Sequence, residues 1–467
     1  APYFGASTIV WANTIGIVLV ALSIGYWLGG RVADRHPHLR GLCLLSLAAA
    51  ALLAAVPFVS GPLLHLGVTA LDDVSAGAFF GSLIAVLVLV AVPVLLLGMV
   101  SPWALRLAMR DVERAGEVAG RLYALSTAGS LVGTLLSALV LIPLVGTRRT
   151  FLVFALAIAA VAVTGLLPQR RWVLAPAAIV ALLALPAGTL KASGNGRVIH
   201  EAETEYQYAR VLEQPDGSRL LELNEGHAVH SVYHPGTVLT GDYWDGFLVD
   251  PLASLGHPPS SIAILGNAAG TTARAYGRLF PRTRVDAVEI DPELSRIGRR
   301  WFDMRGPRLH VHDQDARPFL RATARRYDAI MVDAYRQPYI PFYLATKEFF
   351  QLVRSRLTPA GVVVINVGHP EREAALEKVL AATLGAAFPH VMRDPVEPTN
   401  TLLVASRAPL SPARLREAAL PRTLRGTATA AAARLRSPLP GGAVYTDDKA
   451  PVEWLIDKSI VDYAAGG

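Results

Sequence analysis

The chain has 467 residues, 52% of them hydrophobic and only 17% charged, with a net charge of +7 and a single cysteine, Cys43. Soluble chains of this length carry about a quarter charged residues, and one cysteine excludes both a disulfide framework and a thiolate metal site. The positive excess is mostly Arg in short loops between apolar stretches, a pattern of membrane-flanking charge rather than of a nucleic-acid groove.

The chain opens at Ala1-Pro-Tyr-Phe-Gly5 with no initiating Met and no signal peptide, so residues upstream are expected to be missing. Six stretches then approach the roughly 20 apolar residues needed to span hydrocarbon: Ser7–Gly29, Gly41–Val59, Ala78–Val100, Leu122–Val145, Thr150–Leu167 and Trp172–Leu190. Gly25 with Gly29, and Gly129 with Gly133, put small residues four apart, a spacing that lets helices approach closely in lipid. Arg31, Arg35 and Arg40 follow the first span, Arg106, Arg110, Arg114 and Arg121 the third, and Arg170 and Arg171 the fifth. The positive-inside rule places these loops in the cytoplasm. Six alternating spans would then leave the C-terminal half outside.

Lys191–Gly196 is a polar, Gly-rich linker that ends a transmembrane domain of residues 1–190. Residues 197–240 read as a small antiparallel β unit, with turn signals at Pro215-Asp-Gly217 and Asn224-Glu-Gly226. Asp242–Leu255 reads as a helix. From Ile262 onward apolar runs alternate with helical patterns. Strands are expected at 262–265, 285–290, 308–312, 328–332 and 361–367, helices at 271–280, 292–303, 316–324, 346–357 and 371–386, and a hairpin around 389–405. This alternation predicts an α/β fold, a mostly parallel, doubly wound, Rossmann-like sheet over 241–410. Residues 411–467 form a tail, helical over 411–436, that closes the site.

Chemistry concentrates at the carboxyl ends of these strands, where open α/β sheets bind ligands. Gly266-Asn-Ala-Ala-Gly270 is a small-residue turn between a strand and a helix, and Gly266, Asn267 and Gly270 are candidates to admit a nucleotide. Glu289, about twenty residues on, ends the second strand, where a carboxylate can bond ribose hydroxyls. Asp291, before Pro292, is the better helix cap. Asp315 ends the third strand and can accept from an adenine amine, although either it or Asp313 can equally cap the next helix. Asp333 ends the fourth strand, facing the reactive end of such a ligand, and can act as a base or bind an amine. Tyr206 and Gln207 on the β unit and Asp242–Asp245 before the sheet can fold over the cleft. His227, His230 and His234 have no metal-ligand spacing, and no metal is expected.

These residues resemble the spermidine synthase (polyamine aminopropyltransferase) family, and most closely the bacterial branch fused to an N-terminal multi-pass membrane domain. The resemblance rests on Glu205–Val211, the turn at Leu265–Arg274, Val288-Glu-Ile-Asp-Pro292, Gln314-Asp-Ala-Arg317, Asp333 and Ile340–Phe349, and, in the membrane half, on Ala1–Gly5, Gly25–Arg31 and Arg121–Ala124. It implies a class I methyltransferase-type sheet and transfer of an aminopropyl group from decarboxylated S-adenosylmethionine to an amine such as putrescine, releasing methylthioadenosine. Gln207, Glu289 and Asp315 would hold the adenosyl group, and Asp333, assisted by Tyr243, would position or deprotonate the amine. Asp245, Tyr335, Asp447 and Asp448 would bind it. A homodimer at the cell membrane with a cytoplasmic catalytic domain is expected.

The chain departs from the family where the amine is held. Ala269 stands where the family has an acid, and Arg336 stands where it has a second one. A methyltransferase using intact S-adenosylmethionine therefore remains open, as does a non-catalytic amine-binding or transport-coupled protein.

Overall fold

The computed structural model describes residues 8–71, 83–109, 114–167, 169–185, 196–224, 228–335, 339–371 and 373–456. The chain divides into two compact units: residues 1–192 with 203–208, and residues 193–202 with 209–467.

The first unit is helical. Among the described residues, five helices are long and apolar enough to cross a membrane: Trp11–Arg35, Leu39–Leu64, Leu83–Ala108, Ala115–Leu141 and Leu144–Thr164. The sixth expected span differs. Its described part is a short helix, Leu174–Ala184, after a 3-10 turn at Arg170–Val173. Eleven residues rise about 16 Å, half of a hydrocarbon core. The two small-residue pairs also part company. A Cβ on Gly25 would come within 2.4 Å of the Leu95 carbonyl oxygen, and one on Gly29 within 2.6 Å of Met99 Cα, so these glycines let two helix backbones touch. Gly129 meets nothing within 4 Å, and Gly133 only the Phe154 ring at 4.0 Å. Between Leu39–Leu71 and Ile142–Thr164, Cys43, Leu47, Ala50 and Ala54 pack on Leu152, Ala155, Ala159 and Ala162, a small-residue seam at helical spacing.

The second unit contains two sheets. Four strands, β1 (Arg197–Glu203), β2 (Tyr208–Glu213), β3 (Arg219–Leu223) and β4 (Val229–Tyr233), pair in sequence order. The larger sheet comprises β5 (Ser261–Leu265), β6 (Arg284–Glu289), β7 (Leu309–Asp313), β8 (Tyr327–Val332), β9 (Leu357–Gly368), β10 (His390–Glu397) and β11 (Asn400–Ser406). Its order is β10-β11-β9-β8-β5-β6-β7. β5 pairs in parallel with both β6 and β8, so the order reverses there, and β11 is antiparallel to both its neighbours. This is the expected doubly wound sheet, with the hairpin forming one edge. Period-two alternation places Ile330 and Val332 of β8 in one core layer and Ala329 and Met331 in the other, as a sheet buried on both faces requires.

The expected helix over Asp242–Leu255 is instead three short pieces, Tyr243–Asp245, Gly246–Val249 and Leu252–Leu255. Pro251, in the middle of that stretch, lacks the N–H a continuous helix needs. The expected helical tail is likewise two helices, Pro412–Glu417 and Arg422–Arg434.

Candidate active site

β5, β6 and β8 end side by side, with Leu265 registered against Val288 on one side and Val332 on the other. The chain leaves β5 through Gly266 at φ +86°, Ala268 at φ +46° and Gly270 at φ +89°. A Cβ on Gly266 would strike the Asp333 carbonyl oxygen at 2.5 Å, and one on Gly270 the Met304 sulfur at 2.4 Å. Both glycines are thus required by backbone conformation and by protein neighbours, whatever ligand the turn admits. Asn267 is buried; its Nδ2 lies 3.1 Å from Met304 Sδ and its Oδ1 has no protein partner.

Glu289 lies buried at the end of β6. Its Oε2 accepts from the Ala268 N–H at 2.7 Å and its Oε1 from the Asp291 N–H at 3.1 Å. Burial raises its pKa to about 7, outweighing those two hydrogen bonds. Asp291 caps the following helix through the Glu293 N–H. Glu289 is thereby free of that duty.

The choice between Asp313 and Asp315 is settled locally. Asp315 is the cap, accepting from the Arg317 N–H at 2.8 Å, and it also accepts from the Tyr343 hydroxyl at 2.6 Å. Asp313 accepts from Ser295 Oγ. Both Asp315 oxygens already have protein donors, although each ionised oxygen can accept again.

Asp333 follows β8. Its Oδ2 accepts from the Tyr243 phenol at 3.1 Å and its Oδ1 from Asn366 Nδ2 at 2.9 Å. Burial raises its pKa to about 6, against the pull of hydrogen bonds from Asn366, Tyr243 and Trp244. Burial and the Asp333 charge together push the Tyr243 hydroxyl well above its usual value, so it stays a neutral donor. The Tyr243 ring stacks on Trp244 with centroids 4.3 Å apart. Asn366 is itself fixed by Asn400, whose Nδ2 donates to its Oδ1 at 2.9 Å. Tyr335 donates to the Asn366 carbonyl at 3.0 Å and accepts from the Gly368 N–H at 2.7 Å, bracing the end of β9.

Two of the other expected amine-binding acids, Asp245 and Asp447, are engaged elsewhere. Asp245 closes its own turn, accepting from the Thr240 and Gly241 N–H groups at 3.0 and 2.9 Å. Asp447 pairs bidentately with Arg317 and accepts from Thr346 Oγ1 at 2.7 Å. Asp448 is exposed. Gln207 lies in the turn between β1 and β2, its carbonyl accepting from the Thr204 N–H at 2.9 Å. Ala269 is fully buried against Val211, Leu221, Ile297 and Phe302, so a carboxylate there would stand in an apolar layer. Arg336 and His227 lie outside the described residues. His230 Nδ1 lies 3.2 Å from the Ala228 carbonyl and His234 Nδ1 2.8 Å from Ser218 Oγ. Among the described residues no group of three metal-ligating side chains is present.

Asn366, Asn400 and Glu397 were not anticipated. Glu397 ends β10, and its Oε1 accepts from the Tyr243 N–H at 2.6 Å. A usable signal did exist for Asn366, a lone polar residue inside the apolar run Val362–Val367.

A glycine turn, a buried acid after the second strand and a tyrosine-bonded acid after the fourth are thus arrayed along one sheet edge. A family described as the spermine/spermidine synthase domain matches residues 250–402, which span that edge from β5 to β11. Residues 250–402, about a third of the chain, are where it is similar to that family. It is 33% identical over 291 residues to a probable polyamine aminopropyl transferase of Bifidobacterium longum, covering 57% of this chain and 64% of that protein. It is 31% identical over 188 residues to the polyamine aminopropyltransferase of Vibrio vulnificus, covering 37% and 60%. The human eEF1A lysine and N-terminal methyltransferase is 27% identical over 215 residues, 41% of this chain and 29% of that protein. The chain thus spans under two thirds of the length of these relatives.

Proposed function

We propose that the synthase domain transfers an aminopropyl group from decarboxylated S-adenosylmethionine to a polyamine-type amine. The observation that carries this reading is Asp333, held at the end of β8 by a neutral phenol and an amide, with its pKa raised toward neutrality. Such a carboxylate accepts a proton from an alkylammonium and holds the resulting amine by a hydrogen bond. Glu289 is suited to the ribose hydroxyls of the donor, and the buried Asn267 Oδ1, left without a protein partner, is a further acceptor in the turn. Asp315 completes the adenosyl site in this proposal.

The amine nitrogen attacks the carbon bonded to the donor's sulfur. A C–N bond forms and the C–S bond breaks. The bonding pair stays on sulfur, converting the sulfonium to the thioether of methylthioadenosine, and the amine's proton leaves through Asp333. The sulfonium is already a good leaving group, so the protein contributes mainly placement and an unprotonated nucleophile.

The likeness to a methyltransferase, together with Ala269 in place of an acid, favours methyl transfer from intact S-adenosylmethionine as the second reading. Purified full-length protein with each donor and putrescine separates them. Methylthioadenosine is the expected product. S-adenosylhomocysteine as the only product would replace aminopropyl transfer with methyl transfer.

We further place the domain at the cytoplasmic face of a membrane, in a homodimer. Five spans, not six, reconcile this with the positive-inside rule. The loops containing Arg35 and Arg114 and the segment with Arg170 and Arg171 then share a side with the C-terminal half, while Arg148 and Arg149 run against the trend. Protease added to sealed vesicles of known orientation should cleave the domain only from the cytoplasmic face.

A further inference from the structure

The acids that the family places around the amine are absent at Ala269 and Arg336, and Asp245 and Asp447 are committed to other partners. A diamine nevertheless brings two ammonium groups. One must shed its proton to react, and the other remains charged and needs a counter-charge when it leaves water.

We propose that Glu397 is the specificity-determining residue of the acceptor site, binding the non-reacting ammonium of a di- or polyamine. The inference rests on the aminopropyl-transfer reading. Tyr243 is the link: its phenol donates to Asp333 Oδ2 at 3.1 Å, while its backbone N–H donates to Glu397 Oε1 at 2.6 Å. The two carboxylates are therefore held at opposite ends of one tyrosine. A second path fixes the same spacing. Glu397 is registered across the β10–β11 hairpin from Asn400, which bonds to Asn366, which bonds to Asp333.

Charge points the same way. Two fully buried acids close to it, Glu377 and Asp394, have their own guanidinium, Arg393 and Arg434. Among the described residues neither Glu397 nor the adjacent Asp242 forms an ion pair with Lys or Arg. Burial, with the nearby Asp242 charge, raises the Glu397 pKa, and a bound ammonium would relieve both effects. A monoamine would have no group to place there.

Glu397→Gln keeps an oxygen for the Tyr243 N–H and removes only the charge. The test compares wild type and variant, as full-length protein, by methylthioadenosine release with putrescine and with n-butylamine, a matched monoamine. Expected is a rise in KM for putrescine with kcat little moved, so that the putrescine-over-butylamine preference in kcat/KM falls about tenfold. Glu397→Asp, which keeps the charge, should retain most of the preference. A preference unchanged in Glu397→Gln, or kcat/KM falling equally for both amines, would overturn the role of Glu397. Wild-type protein releasing no methylthioadenosine with any amine would instead defeat the aminopropyl-transfer reading, and this inference with it.

Discussion

At the β5–β6 end of the sheet, Glu289 is held by backbone N–H groups of Ala268 and Asp291; at the β8–β9 end, Asp333 is held by the side chains of Tyr243 and Asn366. Burial raises the pKa of both acids, to about 7 and about 6. The difference lies in what fixes them. A carboxylate gripped by the main chain is placed by the path of the turn, which a strand–turn–helix pattern already specifies. One gripped by side chains depends on residues remote in sequence, and substitution can loosen it one bond at a time. Under the proposed function, recognition of a common donor suits the first arrangement, and selection among amines the second.

Substitutions at the two ends should therefore fail differently. Asp333→Asn should lower turnover by about a thousandfold, the scale of a lost proton acceptor, and leave donor affinity nearly unchanged. Single-turnover methylthioadenosine release and donor titration measure the two separately, and full turnover by the variant would remove Asp333 from the chemistry. The same variant should melt no lower than wild type at pH 8. An acid whose folded pKa lies above its unfolded value makes the fold less stable as pH rises through that interval, here from about 4 to about 6, and the amide removes this cost.

Glu289→Gln should act on the opposite property, weakening donor binding by tens of fold with a smaller change in the rate of bound donor, read by calorimetry. Equal effects on binding and rate would mean that the two ends do not divide the work. Tyr243→Phe should be milder still, about tenfold in kcat, since Asn366 continues to hold Asp333. Smallest, and most diagnostic, is the pH dependence. Turnover with saturating donor should rise with pH through about 6 as Asp333 ionises, whereas donor affinity should tighten through about 7 as Glu289 does. Coincident midpoints would break the distinction.

Much of this was legible from the chain alone. Each strand expected from 262–265 to 361–367 forms, because buried parallel strands are apolar runs bounded by turns, a signal that survives without tertiary information. Apolar length located helices long enough to cross a membrane, but the described residues of a run such as Trp172–Leu190 contain only the short helix Leu174–Ala184. Composition also could not tell Gly25 and Gly29, which touch another backbone, from Gly129 and Gly133, which do not. In the site, Glu289 and Asp333 stood out because strand ends are predictable. The commitments of Asp245 to Thr240 and of Asp447 to Arg317 did not, because a carboxylate carries no mark in sequence of which donor will claim it.

Sequence by itself determined the alternating α/β order, the apolar character of the N-terminal helices and the acids at the carboxyl ends of β6 and β8, since these follow from local periodicity and from where turns must fall. Only the tertiary structure decided which acids keep a free charge. Asp333 is joined to Tyr243 across 90 positions and to Asn366 across 33, and Tyr243 to Glu397 across 154. Hydrogen bonds over such separations exist only once the sheet has brought its edges together, and burial there sets the proton affinity of each group.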